Sequence, residues 1–191
     1  DIFGSRVFSG GALAAGGAMF GMSGLELLST QKLQLVDALS PLHAGLIISA
    51  MALSAIPTSI LGGATLHRLG FLPLISGGFL LMATGMALLL ATRGEALALL
   101  VVALVLTGLG AGLAMSVSST AIINAAPLHR TGMAAGVEAV SYEFGTLISI
   151  ALTGTLVPLL MARELPPHLA ELGTDALHHP ASHATAASAY N

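Results

Sequence analysis

The sequence has no cysteine and no tryptophan, and only 8% of its 191 residues are charged. Without thiols there are no disulfides, no cysteine metal sites and no thiol chemistry. Six Lys and Arg against nine Asp and Glu give a formal net charge of −3. No basic block is present to track a phosphate backbone, which excludes a nucleic-acid partner. The scarcity of charge also excludes an ordinary soluble domain, in which about a quarter of residues are charged. The chain is instead 55% hydrophobic, with mean hydropathy +0.91. Apolar stretches long enough for a roughly 30 Å hydrocarbon core recur along it. Composition therefore predicts an all-α, polytopic helical bundle with the lipid bilayer as solvent. The start, DIFGSRVF, lacks an initiator methionine and the basic-then-apolar pattern of a signal peptide, and the chain reads as part of a longer protein.

Five spans can be drawn, at about 7–28, 43–66, 71–91, 96–125 and 131–161, followed by a polar tail over about 162–191. Segment 31–41 reads as a polar, extended link, and 67–70 and 92–95 as tight turns. Pro127 marks the break between the last two spans. Arg6, Arg68 and Arg130 fall on one side and Lys32, Arg93 and Arg163 on the other, so positive charge does not orient the bundle. Gly17 and Gly21, like Gly132 and Gly136, stand at the spacing that lets helix backbones approach. Gly108, Gly110 and Gly112 imitate a dinucleotide loop. No strand precedes them, and close helix packing or a bend is the better reading.

The fifth span carries two acids, Glu138 and Glu143. An ionised carboxylate in hydrocarbon costs several kcal/mol, so such residues are neutralised, paired or exposed to a watery cavity. At 1.5 Å rise per residue, Glu138 lies roughly 10 Å into the span and Glu143 roughly 18 Å, about 140° apart around the helix. Burial favours the protonated carboxyl, which suits a group that takes up and releases protons. A carboxylate beside an aromatic ring also suits a lipophilic cation. Tyr142 shares the face of Glu138, and the glycines at 132, 136 and 145 thin the helix around them. Glu26, near the end of the first span, is a third coupling candidate, with an interfacial acid as the plain alternative. Phe20, Met22 and Phe144, together with Met19 and Met115, are candidates for an adaptable apolar pocket or for simple bundle packing.

Two enzymatic readings fail. Gly21-Met-Ser-Gly24 matches the nucleophile motif of intramembrane serine proteases, but no histidine lies inside a span to act as base. His178, His179 and His183 include a pair four residues apart, yet the tail offers no further ligand framework for a metal. No catalytic residue, metal site or cofactor is expected.

Three stretches carry a family resemblance: TQKLQLV at 30–36 followed by SPLHAG at 40–45, GATLHRLG at 63–70, and APLHRTGMAA at 126–135 running into VEAVSYEFG at 137–145. They resemble the major facilitator superfamily, specifically its fourteen-helix drug:proton antiporters that export quaternary ammonium compounds and methyl viologen. The second stretch is generic to the superfamily; the other two are fairly specific to the subgroup. The resemblance covers nearly the whole chain, as helices 9 to 13 of fourteen. It implies a cytoplasmic gating loop at His67 and Arg68, an external tail, a missing N-terminal half, and a place in the cell's inner (cytoplasmic) membrane. It further implies proton-coupled efflux of small lipophilic cations, with a proton gradient as the driving force and the acids of the fifth span as coupling and recognition groups. His67 stands where the loop motif has Asp, and Ala139 follows Glu138 where relatives often carry a second acid. No acid occurs in the second span, which speaks against divalent organic cations. Two alternatives remain: a facilitator-type exporter of another small solute, and a non-transporting membrane fragment or partner subunit.

Overall fold

The computed structural model describes residues 6–91 and 96–164, and among these all regular structure is helical. Five long helices follow one another: α1 (Arg6–Gln31), α2 (Pro41–Leu69), α3 (Phe71–Ala91), α4 (Leu97–Asn124) and α5 (Thr131–Glu164). All five are long and apolar enough to cross a membrane. The third coincides with the span expected from sequence, the fourth is one residue shorter at each end, and the other three run beyond theirs by a few residues. The turn expected at 92–95 and the tail histidines His178, His179 and His183 lie outside the described residues. The chain forms two compact units, Asp1–Ala151 and Leu152–Asn191. The bundle described below belongs to the first.

The link over 31–41 corrects the sequence expectation. It is not extended: a π-helical turn, Lys32–Val36, continues α1. Leu33 is fully buried there beside Leu25 and Met51, so apolar burial draws the chain into one more turn. The Asp37 N–H donates to the Lys32 carbonyl at 3.1 Å, and the Lys32 ammonium donates to the Asp37 carboxylate at 2.9 Å. Ser40 then caps α2 by accepting from the His43 N–H, with Pro41 at the first helical position, where its missing donor costs nothing. At the other end of α2, His67 and Arg68 are still helical, and the reversal into α3 is made by Gly70 alone, at φ 82°. That conformation needs a residue without Cβ.

α4 is the axis of the bundle and packs along α1, α2 and α3. Its sequence explains why: small residues are set on several faces, so neighbours approach from each. Gly108 and Gly112 meet the α2 backbone at Met51 and Ala55, and Gly110 meets the α3 backbone at Gly78. The triple-glycine segment is thus close helix packing, one of the two readings its sequence allowed. Gly85 of α3 meets Ala103 and Thr107 of α4. Gly17 and Gly21 of α1 do pack a neighbour, the Phe79 and Met82 side chains of α3. Gly132 and Gly136 do not, because a Cβ on either would meet nothing within 4 Å.

Two apolar clusters close the ends around this glycine waist. Leu25, Leu33, Met51, Leu100 and Leu104 form one, and Phe8, Ala15, Ile122 and Ala134 the other. Between them, hydroxyls tie helix to helix: Ser54 donates to the Val105 carbonyl at 3.1 Å and Ser116 to the Ser59 carbonyl at 2.7 Å. Such interhelical bonds to backbone replace the water that a bilayer does not offer.

Candidate functional site

The α1–α5 seam positions the candidate residues. Gly145 lies against the Gly16 backbone so closely that a Cβ would overlap it, and Gly16 faces the Ser141 carbonyl in return. Ser149 donates to the Phe20 carbonyl at 2.7 Å, and Ser23 to Thr146 at 3.4 Å. Pairings 16 with 145 and 20 with 149 rise together, so α1 and α5 run parallel. Glu138 therefore stands toward the Arg6 end, Glu143 nearer the middle, and Glu26 about 15 Å beyond the Gly16–Gly145 crossing toward the Lys32 end. Three acids thus occupy successive heights of the bundle.

Glu138 and Tyr142 are brought together as one unit. The tyrosine hydroxyl donates to Glu138 Oε1 at 2.9 Å, across one helical turn. The ring packs against the cluster of Phe8, Ala15, Ile122 and Ala134, which fixes the direction of the hydroxyl. Ser141, on the same side by helical angle, donates instead to the Val137 carbonyl. Glu143 is exposed on another face of α5, which it shares by helical angle with Gly132 and Gly136, both open to a neighbour.

The aromatic candidates fall elsewhere. Phe20 and Phe144 line a cavity of about 430 Å³ between α1 and α5, walled by Leu13, Val140 and Ile148 and floored by the glycine seam. Neither carboxylate of α5 lines it. Met22 and Glu26 instead share a second cavity, of about 370 Å³, between α1 and α2. Met19 and Met115 are half-buried. His67 and Arg68 are exposed in the last turn of α2, where positive charge complements the helix dipole. Sequence reasoning missed Gln34 and Thr30, which join Glu26 in its cavity. The polar run around 30–34 was the available signal, read there as a link.

Replacing Tyr142 by phenylalanine isolates the hydrogen bond. The ring keeps its packing, so thermal unfolding of the full-length protein should change by no more than about 1 kcal/mol. If the cation export that the family resemblance implies operates here, efflux of a lipophilic cation should fall several-fold, since the Glu138 carboxyl loses the group that orients it. Unchanged efflux would remove Tyr142 from the site.

With this arrangement established, the comparisons decide the family. The chain matches the Major Facilitator Superfamily over residues 7–163. It belongs to that superfamily. Multidrug resistance protein Stp of Mycobacterium tuberculosis (strain H37Rv) is 31% identical over 150 residues, which are 78% of this chain and 28% of Stp. Methyl viologen resistance protein SmvA of Salmonella typhimurium (strain LT2) is 31% identical over 161 residues, 82% of this chain and 32% of SmvA. Multidrug efflux pump LfrA of Mycolicibacterium smegmatis is 29% identical over 150 residues, 78% of this chain and 30% of LfrA. The chain thus spans about a third of the length of these relatives. No solved structure matches it. Superfamily membership and five membrane-length apolar helices make this major facilitator segment part of a multi-pass membrane protein.

Proposed function

We propose that the chain is part of a proton-coupled exporter of lipophilic cationic drugs, acting in the inner membrane without a cofactor or an enzymatic step. The observation that carries this reading is the Glu138–Tyr142 pair, a carboxyl held by a half-buried tyrosine within a membrane-length helix. Relatives whose names describe multidrug and methyl viologen resistance support it.

In this mechanism a proton and the cation compete for the same carboxyl. With Glu138 ionised, the cation pairs with it and the Tyr142 ring offers a π face. The aromatic part of a drug fits the groove between Phe20 and Phe144. Protonation from outside, through Glu143 and Glu26, cancels the charge and releases the cation outward. The neutral carboxyl then returns inward as this half rocks against the N-terminal half of the transporter, with His67 and Arg68 at the cytoplasmic gate. Differential affinity of the two protonation states supplies the coupling.

The test uses everted vesicles containing the full-length protein and an imposed acid-inside gradient. Ethidium should accumulate, tetraphenylphosphonium should compete, and collapsing the gradient with nigericin should stop uptake. Accumulation indifferent to the gradient would overturn proton coupling. Competition by a neutral sugar and not by lipophilic cations would instead favour export of another solute.

A further inference from the structure

One end of the bundle gathers basic side chains that nothing in the fold answers. Arg6 opens α1, His67 and Arg68 close α2, and His129 and Arg130 precede α5; all five are exposed. Among the described residues none of these side chains has an ion pair or a hydrogen bond. The nearest described carboxylate by height, Glu138, lies about 10 Å deeper and accepts from Tyr142. The Lys32 end is arranged differently, with its lysine paired to Asp37 at 2.9 Å. His67 contributes to the imbalance, because an aspartate at that position of the loop motif would stand beside Arg68 as a counter-charge.

A cavity of about 380 Å³ lies among these helix ends, where α1 and α3 begin and α2 and α4 finish. Val7, Leu66, Phe71, Ala121 and Ala125 make its walls apolar, and the Asn124 amide is its one polar side chain. Val7 follows Arg6 directly, and Leu66 and Phe71 flank the turn that carries Arg68, so both arginines stem from its rim. A free anion would use the charge and leave the walls bare. An apolar molecule would cover the walls and leave the charge unanswered. An amphiphile with an anionic head satisfies both. The level agrees, since helix ends mark where hydrocarbon gives way to head groups, and basic pockets there attract anionic lipids.

We propose that this end of the bundle is a binding site for one anionic phospholipid. Arg6 and Arg68 hold its phosphate, with the paired donors that suit a phosphate group, and the Asn124 amide lies beside it. One acyl chain packs on Val7, Leu66 and Phe71. The lipid neutralises this end and ties four helix termini together, whatever solute the protein exports.

Native mass spectrometry of the delipidated full-length protein in neutral detergent tests the site. Dioleoyl-phosphatidylglycerol is the anionic probe, dioleoyl-phosphatidylcholine carries the same chains on a neutral head, and glycerol phosphate is a head without chains. The first phosphatidylglycerol should bind roughly twentyfold more tightly than the first phosphatidylcholine, about fivefold from each arginine. Arg6→Gln and Arg68→Gln should each remove about fivefold of that affinity and leave phosphatidylcholine within about twofold, which also shows that the variants fold. His67→Asp, which supplies an internal counter-charge, should act in the same direction. Val7→Phe, at a wall position that is 50% exposed, fills the cavity and should weaken both lipids. Lys32→Gln, at the other end, should change neither. Equal affinity for the two lipids, unchanged phosphatidylglycerol binding in both arginine variants, an equal loss in Lys32→Gln, or full competition by glycerol phosphate would each overturn the site.

Discussion

Replacing Gly145 by leucine is expected to destabilise the full-length protein by about 3 kcal/mol, lowering its thermal unfolding midpoint by roughly 3 °C. The cost is large because the obstacle is main chain. A Cβ at 145 would overlap the Gly16 backbone, and no rotamer change relieves that. Separating the helices to make room would also break the Ser149 to Phe20 hydrogen bond at 2.7 Å. A neighbouring pair in α3 supplies the control. Alanine at Gly78 would bring its Cβ to 2.9 Å from the Gly110 carbonyl oxygen and should destabilise, whereas alanine at Gly77 meets nothing within 4 Å. Gly77→Ala should stabilise by roughly 0.5–1 kcal/mol through helix propensity. Unfolding followed in detergent, variant by variant, checks both signs. A Gly145→Leu protein as stable as wild type would mean that the α1–α5 seam does not exist.

Replacing Glu138 by glutamine should reduce pH-driven ethidium efflux by roughly a hundredfold, the factor that follows from losing about 3 kcal/mol of charge pairing. Glutamine has the same size, and its amide oxygen still accepts from the Tyr142 hydroxyl, so the local packing is kept. What disappears, on the proposed mechanism, is the exchange of a proton for a cation. Thermal stability should stay within a few degrees of wild type, which separates a coupling defect from misfolding. Glu143→Gln, on its exposed face, should lose efflux as well, by interrupting proton delivery. Normal gradient-driven efflux in both variants would remove the α5 acids from the mechanism.

Much of the fold is legible in the sequence because the bilayer fixes the length of an apolar helix. Phe71–Ala91 emerges with its expected ends, since a helix-breaking glycine precedes it and a charged stretch of sequence follows it. Segment 31–41 does not, because local polarity suggested a link while Leu33 was being drawn into a core cluster built by α2 and α4. Partners of the small residues are harder still. Spacing shows that Gly132 and Gly136 share a face, but only the fold shows that this face is open while Gly145 meets α1. In lipid both faces of a helix are apolar, so periodicity does not say which one is covered. The acids separate along the same line. Glu138 and Tyr142, one turn apart on one helix, were readable as a pair. The cavity of Glu26 depends on Gly45, Ile48 and Met51 of another helix, and no local pattern announces it.

The contact of Gly16 with Gly145 has a mechanical meaning. Where side chains separate two helices, rotamers give and a displacement dies out over a few ångströms. A joint made of main chain has no such slack. Residues of α1 and α5 on either side of that joint form a single lever, loaded by Glu138 toward one end and by Glu26 toward the other. On the proposed mechanism, a change of charge at either acid would tilt both helices together, as a stiff beam rather than a cushion.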